Sequence, residues 1–145
     1  MAKRAFTLLG VGVLFCGVLW GCAGSKKPVQ VYDEVLAFSL PFDLVYLRSM
    51  EAVQKHGNWD IERTDKEKGQ IYIKNKRYSS YADADLRKGL LVVKRISAKE
   101  TTVQIDPEFQ SVVGGDEVLS LIKHYMAPEV ERRKKRGEIA AQPVG

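Results

Sequence analysis

Cysteine is scarce in this chain, with two in 145 residues, Cys16 and Cys22. Both fall near the N-terminus. The sequence after them offers no disulfide framework, no thiol nucleophile and no cysteine metal site. Histidine is equally scarce, at His56 and His124. Neither has a nucleophile or metal-ligand partner at a useful spacing. Both are expected near the C-terminal part of a helix, where an imidazolium interacts well with the dipole. Beyond the first twenty residues no apolar run approaches transmembrane length. No repeat and no catalytic signature is visible, so the sequence assigns no catalytic residue, no metal and no cofactor.

What is present begins at the N-terminus. Lys3 and Arg4 supply a positive start, residues 5–20 are uncharged and mostly apolar, and Gly21 is small. A charged start, a short apolar stretch and a small residue at the cut site describe a secretory signal peptide. An uncleaved membrane anchor is the rival reading, although residues 5–20 are short for one. The run ends in Leu19-Trp20-Gly21-Cys22. This tetrapeptide resembles the lipobox of bacterial lipoproteins. The resemblance implies cleavage between Gly21 and Cys22 and a diacylglyceryl group on the Cys22 sulfur. Trp20 is larger than the residue usual at that position. Cys16 follows Phe15, which is too large for a cleavage position. Ala23, where the family's inner-membrane signal has Asp, implies the outer membrane, facing the periplasm, in a host with two membranes.

The formal net charge is +5, and the leader carries no acid. A basic chain often points to nucleic acid, but an exported lipoprotein rarely meets any. Lipid headgroups, lipopolysaccharide or a cell-wall polymer are the anionic partners that fit.

Four segments follow: a signal peptide over residues 1–21, a lipidated tether over 22–28, a globular domain over 29–127 and a basic C-terminal tail over 128–145. The tether is small, polar and basic. Residues 29–40 carry apolar side chains at both parities, which predicts a strand that is central or covered on both sides. Pro41 is suited to open a helix. Phe42, Val45, Tyr46, Ser49, Met50, Val53 and His56 then recur at helical spacing, with Leu44 and Leu47 widening the face. Gly57 suits the helix end.

Trp59 and Ile61 alternate with polar residues, residues 65–69 form a charged turn, and Ile71 and Ile73 alternate on the way back. That is a β-hairpin with one apolar face. Residues 78–88 read as a loop. Residues 90–96 and 101–105 read as two more strands. Residues 111–115 read as a flexible link. A second helix spans residues 116–126, with Val118, Leu119, Ile122, Tyr125 and Met126 on its apolar stripe. Pro128 breaks or restarts it.

The order implies an α+β fold, a largely antiparallel sheet of about five strands with two helices on one face. The run PFDLVYLRSMEAVQKHGNWDIERTDKEKGQIYI resembles small envelope lipoproteins of the BamC type, over roughly residues 35–73. The likeness is one of fold and carries no activity with it.

Four polar features remain. Asp83 and Asp85 sit in a loop without the wider oxygen set that calcium needs. Tyr78 and Tyr81 flank two serines, as an adaptable contact surface or as loop aromatics on the sheet edge. Gly114 and Gly115 precede a helix whose amides could receive an anion, or they are a plain hinge. Arg132, Arg133, Lys134, Lys135 and Arg136 are a solvated tail or a contact for anionic lipid, glycan or an acidic protein patch. The function expected is a membrane-anchored envelope lipoprotein with a structural or protein-interaction role, an accessory of envelope assembly. The alternative is a binder of a small apolar ligand or lipid in a sheet–helix pocket.

Overall fold

The computed structural model describes residues 30–78 and 84–137. Chain order is β1 (Val35–Phe38), α1 (Phe42–Lys55), β2 (Trp59–Asp65), β3 (Gln70–Asn75), a short 3-10 turn (Ala84–Arg87), β4 (Lys88–Arg95), β5 (Thr101–Ile105), a second 3-10 turn (Pro107–Phe109) and α2 (Gly115–Lys135). The strands form one antiparallel sheet in the order β1-β5-β4-β3-β2. Both helices lie on one face of it, so the fold is the α+β sandwich that the two periodicities imply.

Each strand sends alternate residues into one core. Leu36 and Phe38, Ile71 and Ile73, Leu91 and Val93, and Val103 and Ile105 belong to it. From the helices come Val45, Tyr46, Ala52 and Val53, then Val118, Leu119, Ile122 and Met126. Trp59 lies beneath them, and Ile61 and Met50 pack at the margin. Burying one such aliphatic side chain contributes about 1.5–3 kcal/mol, so period-two and period-3.6 stripes that meet face to face carry most of the stability.

The β2–β3 turn depends on Gly69. Its φ is +67°, and a Cβ there would stand 2.0 Å from the Val93 carbonyl oxygen. The left-handed backbone and the neighbouring strand's close approach both demand glycine. The Val93 N–H donates to the Gly69 carbonyl at 2.8 Å, tying the turn to β4. In β2 the register shifts between Ile61 and Arg63. Such a bulge re-aims the following side chain and sets Arg63 opposite Tyr72.

Four expectations are corrected. The strand expected over residues 29–40 is only Val35–Phe38, and it is a sheet edge. Upstream of it, the Tyr32 N–H bonds to the Gln110 carbonyl at 2.9 Å and the Tyr32 ring lies against Gly115. That path leads away from the ladder with β5. Leu47 does not join the buried face of α1; it is 57% exposed. Residues 111–115 are no hinge. Val112 is buried, Asn75 donates to the Val113 carbonyl at 2.8 Å, and the Val113 N–H bonds to the Leu86 carbonyl at 2.7 Å. Finally, α2 runs without a break through Pro128. Pro128 lacks the N–H that would reach the His124 carbonyl. Both residues are exposed, so water can satisfy that carbonyl, while Met126 and Glu129 on either side stay buried.

Candidate functional site

The five cations are part of a helix. Arg132, Arg133, Lys134 and Lys135 form the last turn of α2, and Arg136 caps it by donating its N–H to the Arg132 carbonyl. Successive helical residues are about 100° apart. Five in a row therefore ring the helix end and present no single flat face. Their position also suits the negative end of the helix dipole.

Two of them have acids within the same helix. Arg132 Nη2 lies 3.3 Å from Glu129 Oε1, and Lys134 Nζ lies 3.4 Å from Glu131 Oε1. Glu129 is buried, and Arg48 reaches it from α1. Arg48 Nη2 donates to Glu129 Oε1 at 2.7 Å, and Arg48 Nη1 donates to Glu51 Oε2 at 2.5 Å. Glu51 in turn accepts from Lys55 at 2.5 Å. The Arg48 hydrogen bond holds the Glu129 carboxyl below the usual carboxylate range against the opposing effect of burial, and Arg132 adds to it. The same two bonds, Glu129 first and then Glu51, raise the Arg48 guanidinium.

Lys55, Glu51, Arg48, Glu129 and Arg132 thus alternate in sign across the groove between the helices. With His124, Tyr125 and Pro128 they line an open cleft of about 210 Å³. Lys55 Nζ stands 5.8 Å from the Tyr125 ring centre, and His124 meets the same ring edge-on. The cleft's cations are matched by acids, and its lining holds no serine, threonine or cysteine. It serves as an electrostatic clamp between α1 and α2. Arg48 and Glu129 stand 81 residues apart, and no local sequence signal joins them.

The other end of α2 is closed. Gly114 caps it in the left-handed conformation, at φ +83°. Asp116 and Glu117 occupy its first turn. Glu117 Oε1 accepts from Asn58 at 3.0 Å, 3.5 Å from His56 Nδ1 and 3.8 Å from Arg77 Nη1. Burial and then Asp116 raise the Tyr32 hydroxyl. An incoming anion would meet two carboxylates where the amides were expected to receive it. His56 does cap α1. His124 lies in the middle of α2, so the dipole reading fails for it.

The sheet face turned away from the helices is the second candidate surface. Val35 and Ala37 of β1, Leu90 and Val92 of β4, Tyr72 of β3 and Thr102 and Gln104 of β5 share this parity. Val35 is 53% exposed, and Ile96, just past β4, is 58% exposed. Arg63 lies over the Tyr72 ring at 4.1 Å. Lys74 and Lys88 stand directly opposite each other in the ladder, a like-charge pair that weakens it. Lys74 has Glu62 at 3.6 Å and Lys76 has Asp60 at 3.0 Å. Among the described residues Lys88 and Lys94 have no ion pair.

Leu19, Trp20, Gly21 and Cys22 lie outside the described residues, as do Tyr81 and Asp83. Tyr78 is half-buried, and Asp85 falls in the first 3-10 turn. Among the described residues no three His, Cys, Asp or Glu gather as a metal site, and no helix is long and apolar enough to cross a membrane. The chain matches no family model and no curated protein.

Proposed function

We propose that this chain is a lipid-anchored envelope protein whose domain works by contact with partners and catalyses no reaction. The observation that carries the reading is Leu19-Trp20-Gly21-Cys22 after a basic start and an apolar run. Cys22 is the lipidated N-terminus, and the outer membrane, periplasmic side, is its place. The partners of this reading are the membrane, through the lipid on Cys22, and an envelope protein that meets the domain surface. Anionic lipid or a cell-wall polymer at the ring of cations is a further contact; nucleic acid is not.

The interior supports contact over a ligand pocket. Trp59, Ile71, Ile73, Leu91, Ile105, Leu119, Ile122 and Met126 are each less than 2% exposed. A cavity wide enough for a ligand would leave accessible surface on the side chains that wall it. Labelling growing cells with a radioactive fatty acid tests the anchor. Wild-type protein takes up label and begins at Cys22. Cys22→Ser takes up none and accumulates as precursor. A wild type that stays unlabelled, or that begins elsewhere, replaces this reading with an uncleaved anchor.

A further inference from the structure

We infer that the basic end of the domain points away from the bilayer that holds the anchor and binds a carboxylate-bearing cell-wall polymer. The inference rests on the lipid anchor proposed above, and it selects the polymer over lipid as the partner of the α2 cations. Strand and helix directions gather the charge. β1, β2 and β4 end, and α1, β3 and β5 begin, at one end of the sheet. α2 runs antiparallel to α1, with Glu117 beside His56 at 3.5 Å and Glu129 beside Arg48 at 2.7 Å. Its last turn therefore comes to the same end. There Arg132, Arg133, Lys134, Lys135 and Arg136 stand against Glu129 and Glu131. The β2–β3 turn adds Lys66 and Lys68 against Asp65 and Glu67, with Asp43 on Lys66. The end of β4 and the turn after it add Lys94, Arg95 and Lys99 against Glu100. Cations outnumber acids ten to six at this end. Among the described residues Lys94, Lys99 and Lys135 have no ion pair, and neither have Glu67 and Glu100.

The chain enters the domain at the other end. The Tyr32 N–H bonds to the Gln110 carbonyl, and its ring lies against Gly115 at the start of α2. Asp33, Glu34, Asp106, Glu108, Asp116 and Glu117 belong to that end. Lys123 pairs with Glu34 at 2.6 Å. Asp60 and Asp85 bring the acids there to eight, against that lysine and Lys55, Lys74, Lys76, Arg77, Arg87 and Lys88. The 21 residues of α2 put the basic end about 30 Å from the entry. That is several screening lengths at physiological salt. To bring the basic end to the anchoring bilayer, the domain must lie flat, which presses those eight acids on the headgroups. Or it must invert, which draws the span from Cys22 to Tyr32 close to its limit of about 35 Å. Residues 131–136 include no aliphatic or aromatic residue, whereas a protein contact is built around an apolar centre. A ring of cations instead meets carboxylates from any side, as a polymer of repeated charge presents them.

Acylated full-length chain is floated in phosphatidylcholine vesicles and mixed with cell-wall sacculi stripped of protein, which are then pelleted. Wild type should carry vesicles into the pellet, equally well with phosphatidylglycerol in the vesicles, and added salt should release them. Lys134→Gln with Lys135→Gln should weaken capture about 25-fold, since each cation at an anionic surface is worth about fivefold. Lys76→Gln with Lys88→Gln removes the same charge from the other end and should leave capture nearly unchanged. Equal losses from the two pairs overturn the inference, because net charge alone then explains capture. Phosphatidylglycerol that abolishes capture overturns it in favour of the chain's own bilayer. No capture, or capture that needs the wall's bound proteins, overturns it too, the latter in favour of a protein partner. A chain that does not float strikes the anchor and the orientation with it, while its capture in solution by the same sacculi still decides the polymer contact.

Discussion

The two faces of β4 are built from neighbouring residues and do opposite work. Leu91 and Val93 face both helices and join the main core. Leu90 and Val92 are nearly as buried, at 5% and 8% exposed, yet lie outside that cluster. Their register neighbours are Tyr72 and Gln70 on β3, and Gln104 on β5 faces Val92. One face is held by two helices. The other is covered by side chains of its own sheet, with Val35 and Ile96 in the open beside them. A strand rich in β-branched and aliphatic residues at every position fixes burial but not its origin.

Truncating each leucine in turn breaks this comparison most directly. Leu91→Ala should cost about 3–5 kcal/mol, because α1, α2 and the flanking strands cannot all close on the cavity. Leu90→Ala should cost about half as much, because Tyr72 and Arg63 can settle into the space and water can enter. Urea unfolding of both variants gives the two numbers. Equal losses would mean that the second face is covered as firmly as the first.

This asymmetry also separates what the sequence disclosed from what it withheld. The β2–β3 hairpin was legible, since Trp59 and Ile61 alternate before a charged turn and Ile71 and Ile73 after it, although the register shift between Ile61 and Arg63 was not. The buried stripe of α1 was legible for the same reason, apart from Leu47 and His56, which are exposed, and Ala52, which is buried though the spacing did not place it on that face. The extent of β1 was not. Apolar residues at both parities there reflect an edge strand with one exposed aliphatic face, a pattern that a doubly covered strand shares. Pro128 misled because its cost is local, while the bond from Arg48 to Glu129 that holds the last turns comes from another helix. The signals for the groove network lie in charges far apart in sequence, where no periodicity connects them. Leu19, Trp20, Gly21 and Cys22 were the reverse case, plain in sequence and outside the described residues.

The second test removes that distant bond. Arg48→Ala leaves Glu129, 7% exposed, with Arg132 and, more weakly, Arg133 acting on it. Arg48 itself is about one-third exposed, so solvent screening holds the loss to about 1 kcal/mol. Arg48 lowers the Glu129 carboxyl in the folded state. A carboxylate with a depressed folded value stabilises above its unfolded value, near pH 4.3, and that contribution fades as the pH falls through the folded one. The gap between wild type and Arg48→Ala should therefore stay constant between about pH 5 and 8 and narrow as the pH falls below the ordinary carboxylate value. Melting curves across that range check it. A gap that persists in acid would trace the loss to packing of the Arg48 stem.

The smallest effect is the sharpest one. Val35 sits on an edge strand, 53% exposed, with its side chain on the open face. Its backbone pairs with β5 whatever the side chain. Val35→Ser should shift stability by no more than about 0.5 kcal/mol, the usual range for a surface site. Leu36→Ala, one residue on and 5% exposed inside the core, should cost several times more. A loss at Val35 that approached the loss at Leu36 would show the open face acting as a second core. Its aliphatic residues would then have a folding reason to be there. A loss near zero leaves Val35 as an ordinary exposed residue of an edge strand.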